Sequence, residues 1–158
     1  MNYYLIAGEA SGDLHGSNLM RGLKEVDPQP RFRFWGGDRM QEQGGELVRH
    51  YRDHNIMGFW EVITRLAKIR DNFRVCKADL LENNPDVLIL IDYPGFNLRM
   101  ARFAKKHGIK VFYYISPKIW AWKESRIRKI KAWVDQMFVI FPFEVDFYAR
   151  HDFSVVYE

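Results

Sequence analysis

Asp92 is a carboxylate at the end of an otherwise apolar run. "PDVLIL" leads into "IDYPGFN", and Pro94 and Gly95 follow within three residues. An acid at the end of a buried strand must reach water or find a donor. Where the strand opens into a crevice, that setting raises proton affinity toward that of a useful general base, one that takes a proton from an attacking hydroxyl. The competing reading is a carboxylate hydrogen-bonded to nearby backbone amides. Asn97, at the start of the following helix, either orients a substrate or caps that helix. Pro94 and Gly95 are read as the residues that shape the turn.

A second stretch with chemical content is "GEASGD", Gly8 to Asp13. A strand, a Gly-rich turn and a helix start aim backbone amides outward, a geometry suited to anions. The spacing matches neither the dinucleotide fingerprint nor a P-loop. Glu9 and Asp13 would repel a tightly held phosphate, so these acids, with Ser11 and Gly12 beside exposed amides, suit sugar hydroxyls better. The alternative is a tight turn with Asp13 capping the helix that follows it.

A third stretch is "SPKIWAWKESRIRKIKAW". It begins at Ser116 and sets Trp120, Trp122 and Trp133 around Lys123, Arg126, Arg128, Lys129 and Lys131. Aromatic and cationic groups on one surface serve base stacking on nucleic acid or a peripheral membrane surface. Each Trp can equally be core. Of the five His only His50 and His54 stand at H-x-x-x-H spacing, and no C-x-x-C or D-x-D occurs, so no metal site and no cofactor is expected.

The elements that must position these groups follow from hydrophobic period. "YYLIA", "RFRFWG", "DVLILI", "KVFYYI" and "QMFVIF" have strand length and are separated by segments of helical spacing. The alternation predicts an α/β, Rossmann-like doubly wound, mainly parallel sheet with helices on both faces. "VLILI" and "VFYYI" are apolar throughout, as central strands covered on both sides should be. Further strands are expected near "ELVRHY" and "SVVYE". Helices are expected from Asp13 to Asp27, from Gly58 to Asn83 with Ile63, Leu66, Ile69, Phe73, Cys76 and Leu80 on one apolar face, and through "FNLRMARFAKKHG" to Gly108. Cys76 on that face reads as packing material. In such a sheet ligands bind beyond the carboxyl ends of the strands, where "GEASGD", "GGDRM", "DYPGFN", "SPKIWAW" and "PFE" would gather.

The 158 residues suffice for one domain with a real core and carry a net charge of +4. Most of that charge lies between Lys118 and Trp133, leaving the remainder close to neutral. The basic run is either a patch for anions or a solvated helix face. The amino-terminal residues have no signal-peptide pattern, no stretch is long and apolar enough to span a membrane, and the one cysteine fits a reducing compartment, so a cytosolic protein is expected.

In their order, "GEASGDLHG", "WGGDRM", "MGFWEV", "DYPGFN", "SPKIWAW" and "PFEVDFY" resemble the N-terminal half of the lipid-A-disaccharide synthases, two-domain GT-B glycosyltransferases. The resemblance implies inverting transfer of 2,3-diacylglucosamine from UDP-2,3-diacylglucosamine to 2,3-diacylglucosamine 1-phosphate in lipid A biosynthesis. It implies a peripheral protein on the cytoplasmic face of the inner membrane of a Gram-negative cell, with an anionic membrane surface as partner and no nucleic acid. Asp92 occupies the family's required aspartate. Glu9, Ser11, Gly12, Asp13, Asn97 and Ser116 fall at substrate-contact positions. Met57, Phe59 and Trp60, with Trp120, Trp122, Arg126, Arg128 and Lys131, fall where acyl chains or membrane would be met. The resemblance also implies a single acceptor-side domain over residues 1–158, with the UDP-sugar-binding domain absent and no turnover from this segment alone. The reading from another class is a non-enzymatic doubly wound binding module whose basic, Trp-bearing helix docks on nucleic acid or protein.

Overall fold

The computed structural model describes residues 1–54, 62–116 and 126–158. Seven strands form one sheet in the order β3-β2-β1-β4-β5-β6-β7. They are β1 (Asn2–Ala7), β2 (Arg31–Gly36), β3 (Glu46–His50), β4 (Val87–Ile91), β5 (Lys110–Tyr114), β6 (Gln136–Val139) and β7 (Val156–Tyr157). Every neighbouring pair is parallel. The doubly wound reading therefore holds, including the strands expected at "ELVRHY" and "SVVYE". The apolar run "QMFVIF" stops early, because Pro142 opens a helix and Phe141 caps it.

The helices are α1 (Ala10–Val26), α2 (Asp38–Glu42), α3 (Val62–Asn83), α4 (Pro94–Lys106), α5 (Ile127–Trp133) and α6 (Pro142–Ala149). Alternate strand residues face opposite layers, so each strand feeds two cores. Tyr3, Leu5 and Ala7 of β1 pack with Met20 of α1 and Met40 of α2. Tyr4 and Ile6 face the other way, onto Cys76 and Leu80 of α3, Phe96 and Met100 of α4, Ile130 of α5 and Tyr148 of α6. Cys76 is fully buried, which pushes its thiol pKa well up and leaves it a packing group, as its place on the apolar face implies.

The apolar stripe of α3 is only partly a core face. From Phe73 onward it packs against the sheet and α4, whereas Leu66 and Ile69 remain 67% and 39% exposed. Helical period marks a stripe, but what covers it depends on neighbours the sequence does not name.

The amino-terminal edge of the sheet is closed by a satisfied polar network. Asp79 of α3 accepts from the Tyr4 hydroxyl at 2.6 Å and from the Arg33 guanidinium at 2.6 and 2.9 Å. The Trp35 indole in turn donates to Tyr4 at 3.0 Å. Removing the Asp79 carboxylate leaves the buried Tyr4 hydroxyl without its acceptor, at a cost of about 1–3 kcal/mol. This edge is built for stability.

Candidate active site

Chain order reverses between β1 and β4, which lie side by side. In open α/β sheets, the carboxyl-end crevice at such a switch point is where ligands bind. The two loops that flank it are the Gly8–Asp13 stretch and the Asp92 turn. They touch directly: a Cβ on Gly8 would fall 2.4 Å from Cγ of Tyr93, so the Tyr93 ring rests on the Gly8 backbone. Gly8 is needed for this close approach; the glycines described at positive φ are Gly44, Gly45 and Gly108.

The Asp92 turn is made differently from the sequence expectation. Asp92 and Tyr93 themselves adopt left-handed backbone, with φ of 43° and 45°. Pro94 is the first residue of α4, and Gly95 lies in the helix with open space where a Cβ would stand. Pro94 and Gly95 thus start the helix, and the reversal belongs to the two residues before them. Asp tolerates this region, but Tyr adopts it at a cost of about 1–2 kcal/mol. At the next strand Ile115, a β-branched residue, is also left-handed at φ 66°. Strain of this kind persists where surrounding structure over-determines it, and it gathers at functional sites.

What holds the turn is visible. Asn97 is fully buried, and its Nδ2 donates to the carbonyls of Asp92 at 2.8 Å, Ile91 at 3.2 Å and Ile6 at 3.4 Å. It fastens β1, β4 and the turn together; the N-cap position of α4 belongs to Tyr93, so the capping role considered for Asn97 is not the one it has. The Tyr113 hydroxyl donates to the same Asp92 carbonyl at 2.5 Å. Burial, then the nearby Asp92 charge, pushes the Tyr113 phenol pKa well above its ordinary value, so it remains a donor. Asp92 itself is half-buried. Its main chain is clamped by two side chains, and its carboxylate acts electrostatically on the Tyr113 hydroxyl.

Asp13 has a different fate. It lies inside the first turn of α1, whose N-cap is Glu9, so it does not cap its own helix. Its carboxylate is 2% exposed and accepts from the backbone amides of Gly37, Arg39 and Met40 at 2.7, 3.1 and 3.1 Å. These are the orphan donors at the start of α2. Asp13 therefore caps a helix 24 to 27 residues away and carries the loop after β2 toward the loop after β1. Gly12 is buried behind it, 3.1 Å from the Ala7 Cβ if it carried one of its own. Glu9 and Ser11 stay exposed, with the Ser11 hydroxyl donating to Glu9 at 2.6 Å. Ser116 is turned inward, 2.7 Å from the Tyr148 hydroxyl.

One rim group was not singled out by sequence. His50 Nε2 lies 3.2 Å from Asp38, which also pairs with Arg52 at 3.2 Å. Asp38 follows β2 and His50 ends β3, and the only signal for the pair was that each stands at the carboxyl end of a strand. Along the basic segment, Arg126 is half-buried and Arg128 exposed, while the Lys131 ammonium donates to the His151 carbonyl at 2.6 Å. Met57, Phe59, Trp60, Trp120 and Trp122 lie outside the described residues.

A doubly wound parallel sheet with its loops gathered at the β1/β4 switch point is a Rossmann-like fold, the architecture of one half of a GT-B fold. Two solved structures share this fold. UDP-GlcNAc 2-epimerase from Neisseria meningitidis superposes with TM-score 0.68 at 11% identity, over 99% of this chain and 46% of its own. Another UDP-N-acetylglucosamine 2-epimerase gives 0.70 at 12%, over 98% and 47%. The chain belongs to the lipid-A-disaccharide synthetase family, whose model matches residues 3–157. Its curated relatives include lipid-A-disaccharide synthases from Trichlorobacter lovleyi, 51% identical over 92% of this chain, and Coxiella burnetii, 44% identical over 96%. The chain spans 38% and 40% of the length of these two relatives. Nothing in these matches supports a stand-alone binding module.

Proposed function

We propose that this chain is the acceptor-side half of a lipid-A-disaccharide synthase. The whole protein joins UDP-2,3-diacylglucosamine to 2,3-diacylglucosamine 1-phosphate, with inversion at the anomeric carbon. Asp92 accepts the proton of the acceptor's primary hydroxyl as that oxygen bonds to the anomeric carbon, and UDP departs with the electrons of the breaking C–O bond. The observation that carries this reading is the position of Asp92, at the switch point in a left-handed turn whose backbone Asn97 and Tyr113 clamp. Holding the main chain in this way fixes where the carboxylate can reach, which a general base needs before its proton affinity matters.

Glu9, Ser11 and Asn97 stand on either side of the crevice, the first two exposed for contact with sugar hydroxyls. Asp13, Gly12 and Ser116 are buried and act by positioning the loops. A second, donor-binding domain supplies the UDP contacts; the chain's short span of its relatives supports this division. The protein works peripherally on the cytoplasmic face of the inner membrane of a Gram-negative cell, where its acylated substrates reside. No helix among the described residues is long and apolar enough to cross a membrane. Exposed Leu66 and Ile69 on α3 offer an apolar surface, Met57, Phe59 and Trp60 precede them in sequence, and Arg126, Arg128 and Lys131 add cations.

The test is turnover of both acylated substrates by the 158-residue chain and by a full-length protein carrying it, followed by UDP release. The full-length protein forms disaccharide and the segment alone does not. Disaccharide formation by the segment alone contradicts the division into halves, and no transfer by the full-length protein contradicts the assigned reaction.

A further inference from the structure

Away from the crevice, a groove of about 600 Å³ runs along the valley between α4 and α5, with α3 at its side. It begins at Pro94 and Gly95, next to the Asp92 turn, and extends along the outer surface of the helices as far as Lys106 and Trp133. Six cations line it: Lys77, Arg99, Arg102, Lys106, Arg126 and Lys129. Among the described residues no carboxylate does. Among the described residues, none of the six forms an ion pair.

This arrangement works against stability. Arg99, Arg102 and Lys106 follow one another at three- and four-residue spacing on one helix face, and Arg126, the N-cap of α5, stands three residues before Lys129. Like charges in that register repel. The adjacent Lys105, by contrast, turns away to pair with Asp135, so acids are within reach of this helix. None of the acids among the described residues neutralises the groove cations.

Three of them are also held in place. The Arg102 guanidinium lies 5.8 Å from the Trp133 ring centroid, Arg99 lies 5.3 Å from Phe73, and the Lys77 ammonium lies 5.3 Å from Phe103. Stacking uses the flat face of a guanidinium and leaves its edge N–H groups free to donate. Edge donors of this sort match phosphate oxygens in pairs. Leu98, Phe103 and Trp133 supply an apolar floor beside the charge.

We propose that this groove is a binding site for the phosphate group of an organic phosphate, with the guanidinium edges on the phosphate oxygens and the less polar part of the ligand on Trp133, Phe103 and Leu98. The site goes beyond the transfer reaction and does not depend on it. It draws four of its six cations from α3 and α4, so it is not the basic run alone.

Inorganic pyrophosphate titrated into the 158-residue chain, followed through the Trp133 indole N–H by NMR, tests it directly. In parallel, sedimentation with phosphatidylcholine vesicles, with and without phosphatidic acid, tests a lipid source of the same group. The site predicts a saturable shift of the indole with pyrophosphate, co-sedimentation that requires phosphatidic acid, or both. The first outcome marks a soluble phosphate and the second a lipid headgroup. Arg99→Gln with Arg102→Gln, exposed helical positions where Gln keeps helix propensity, weakens binding at least about tenfold, as expected for losing two charge-assisted contacts. Arg21→Gln with Arg31→Gln removes the same charge outside the groove and changes binding less than about twofold, the scale of diffuse surface charge. Absence of both pyrophosphate saturation and phosphatidic-acid-dependent sedimentation, or equal losses in the two double variants, overturns the proposal. Because binding is read on this chain without turnover, either result leaves the assignment of Asp92 to be judged separately.

Discussion

Asp13 and Asp92 flank the same crevice, on loops that follow neighbouring parallel strands, yet the fold uses them in opposite ways. The Asp13 carboxylate is spent on three backbone amides of α2. At Asp92 the backbone is what the fold holds, through Asn97 and Tyr113 on its carbonyl, in a left-handed conformation next to a left-handed Tyr93. A carboxylate consumed by a helix start stabilises; at Asp92 the hydrogen bonds described fix the main chain instead. Sequence context alone, an acid beside a Gly-rich turn, does not separate these cases. The direction of the hydrogen bonds does.

The contrast is sharpest in a pair of substitutions with different readouts. Asp92→Asn keeps a residue type that tolerates the left-handed turn and removes only the charge. In the full-length protein it lowers kcat by roughly 10²–10⁴, the usual worth of a general base. The Asp92→Asn protein still unfolds cooperatively in urea, so the loss is one of turnover rather than of folding. A loss of kcat below about tenfold would move Asp92 to the structural side of the comparison. Asp13→Ala does the reverse. It strands buried amides at the start of α2 and lowers stability by about 2–4 kcal/mol in the same urea titration. A stable Asp13→Ala protein would break the distinction from the other end.

Smaller effects test the clamp. Tyr113→Phe removes one of two donors to the Asp92 carbonyl and costs about 1 kcal/mol, the net worth of one hydrogen bond. Gly95→Ala meets open space in a helix at an ordinary φ, so thermal melts should show it unchanged or more stable by up to about 1 kcal/mol. If Gly95→Ala were damaging, the turn would depend on Gly95 after all. At high pH, Tyr114 adds a modest term: burial, then the charge and hydrogen bond of Glu158, pushes its phenol up to about 12 from 10.0. Below pH 10 both folded and unfolded chains keep that proton, and its contribution is complete. Between pH 10 and about 12 the unfolded chain loses it first, so stability falls there, seen as a lower urea midpoint at pH 11 than at pH 8.

Much of the scaffold was legible because parallel strands covered on both faces announce themselves as apolar runs, and Gly108 and the Asp27-Pro28 pair mark helix ends. The position of Asp92 followed from the same logic. Other features depend on contacts distant in sequence. Nothing near Asp13 says that its partners are the amides of Gly37, Arg39 and Met40, and a five-residue helix such as α2 has too few turns to show a period. Pro94 and Gly95 looked like the turn because their types favour turns, while Tyr93 carries the left-handed backbone against its own preference. The cations of the α4–α5 groove come from three helices, so a count along the chain sees only the dense run between Lys118 and Trp133.

The central claim is that the Asp92 carboxylate faces the hydroxyl that attacks. A crystal structure of the full-length protein with 2,3-diacylglucosamine 1-phosphate bound measures this directly. We predict an Asp92 carboxylate oxygen within about 3.2 Å of the acceptor's primary hydroxyl, the reach of a general base. An acceptor hydroxyl bound instead at the Asp38–His50 pair, with the Asp92 carboxylate turned into backbone amides, would contradict it.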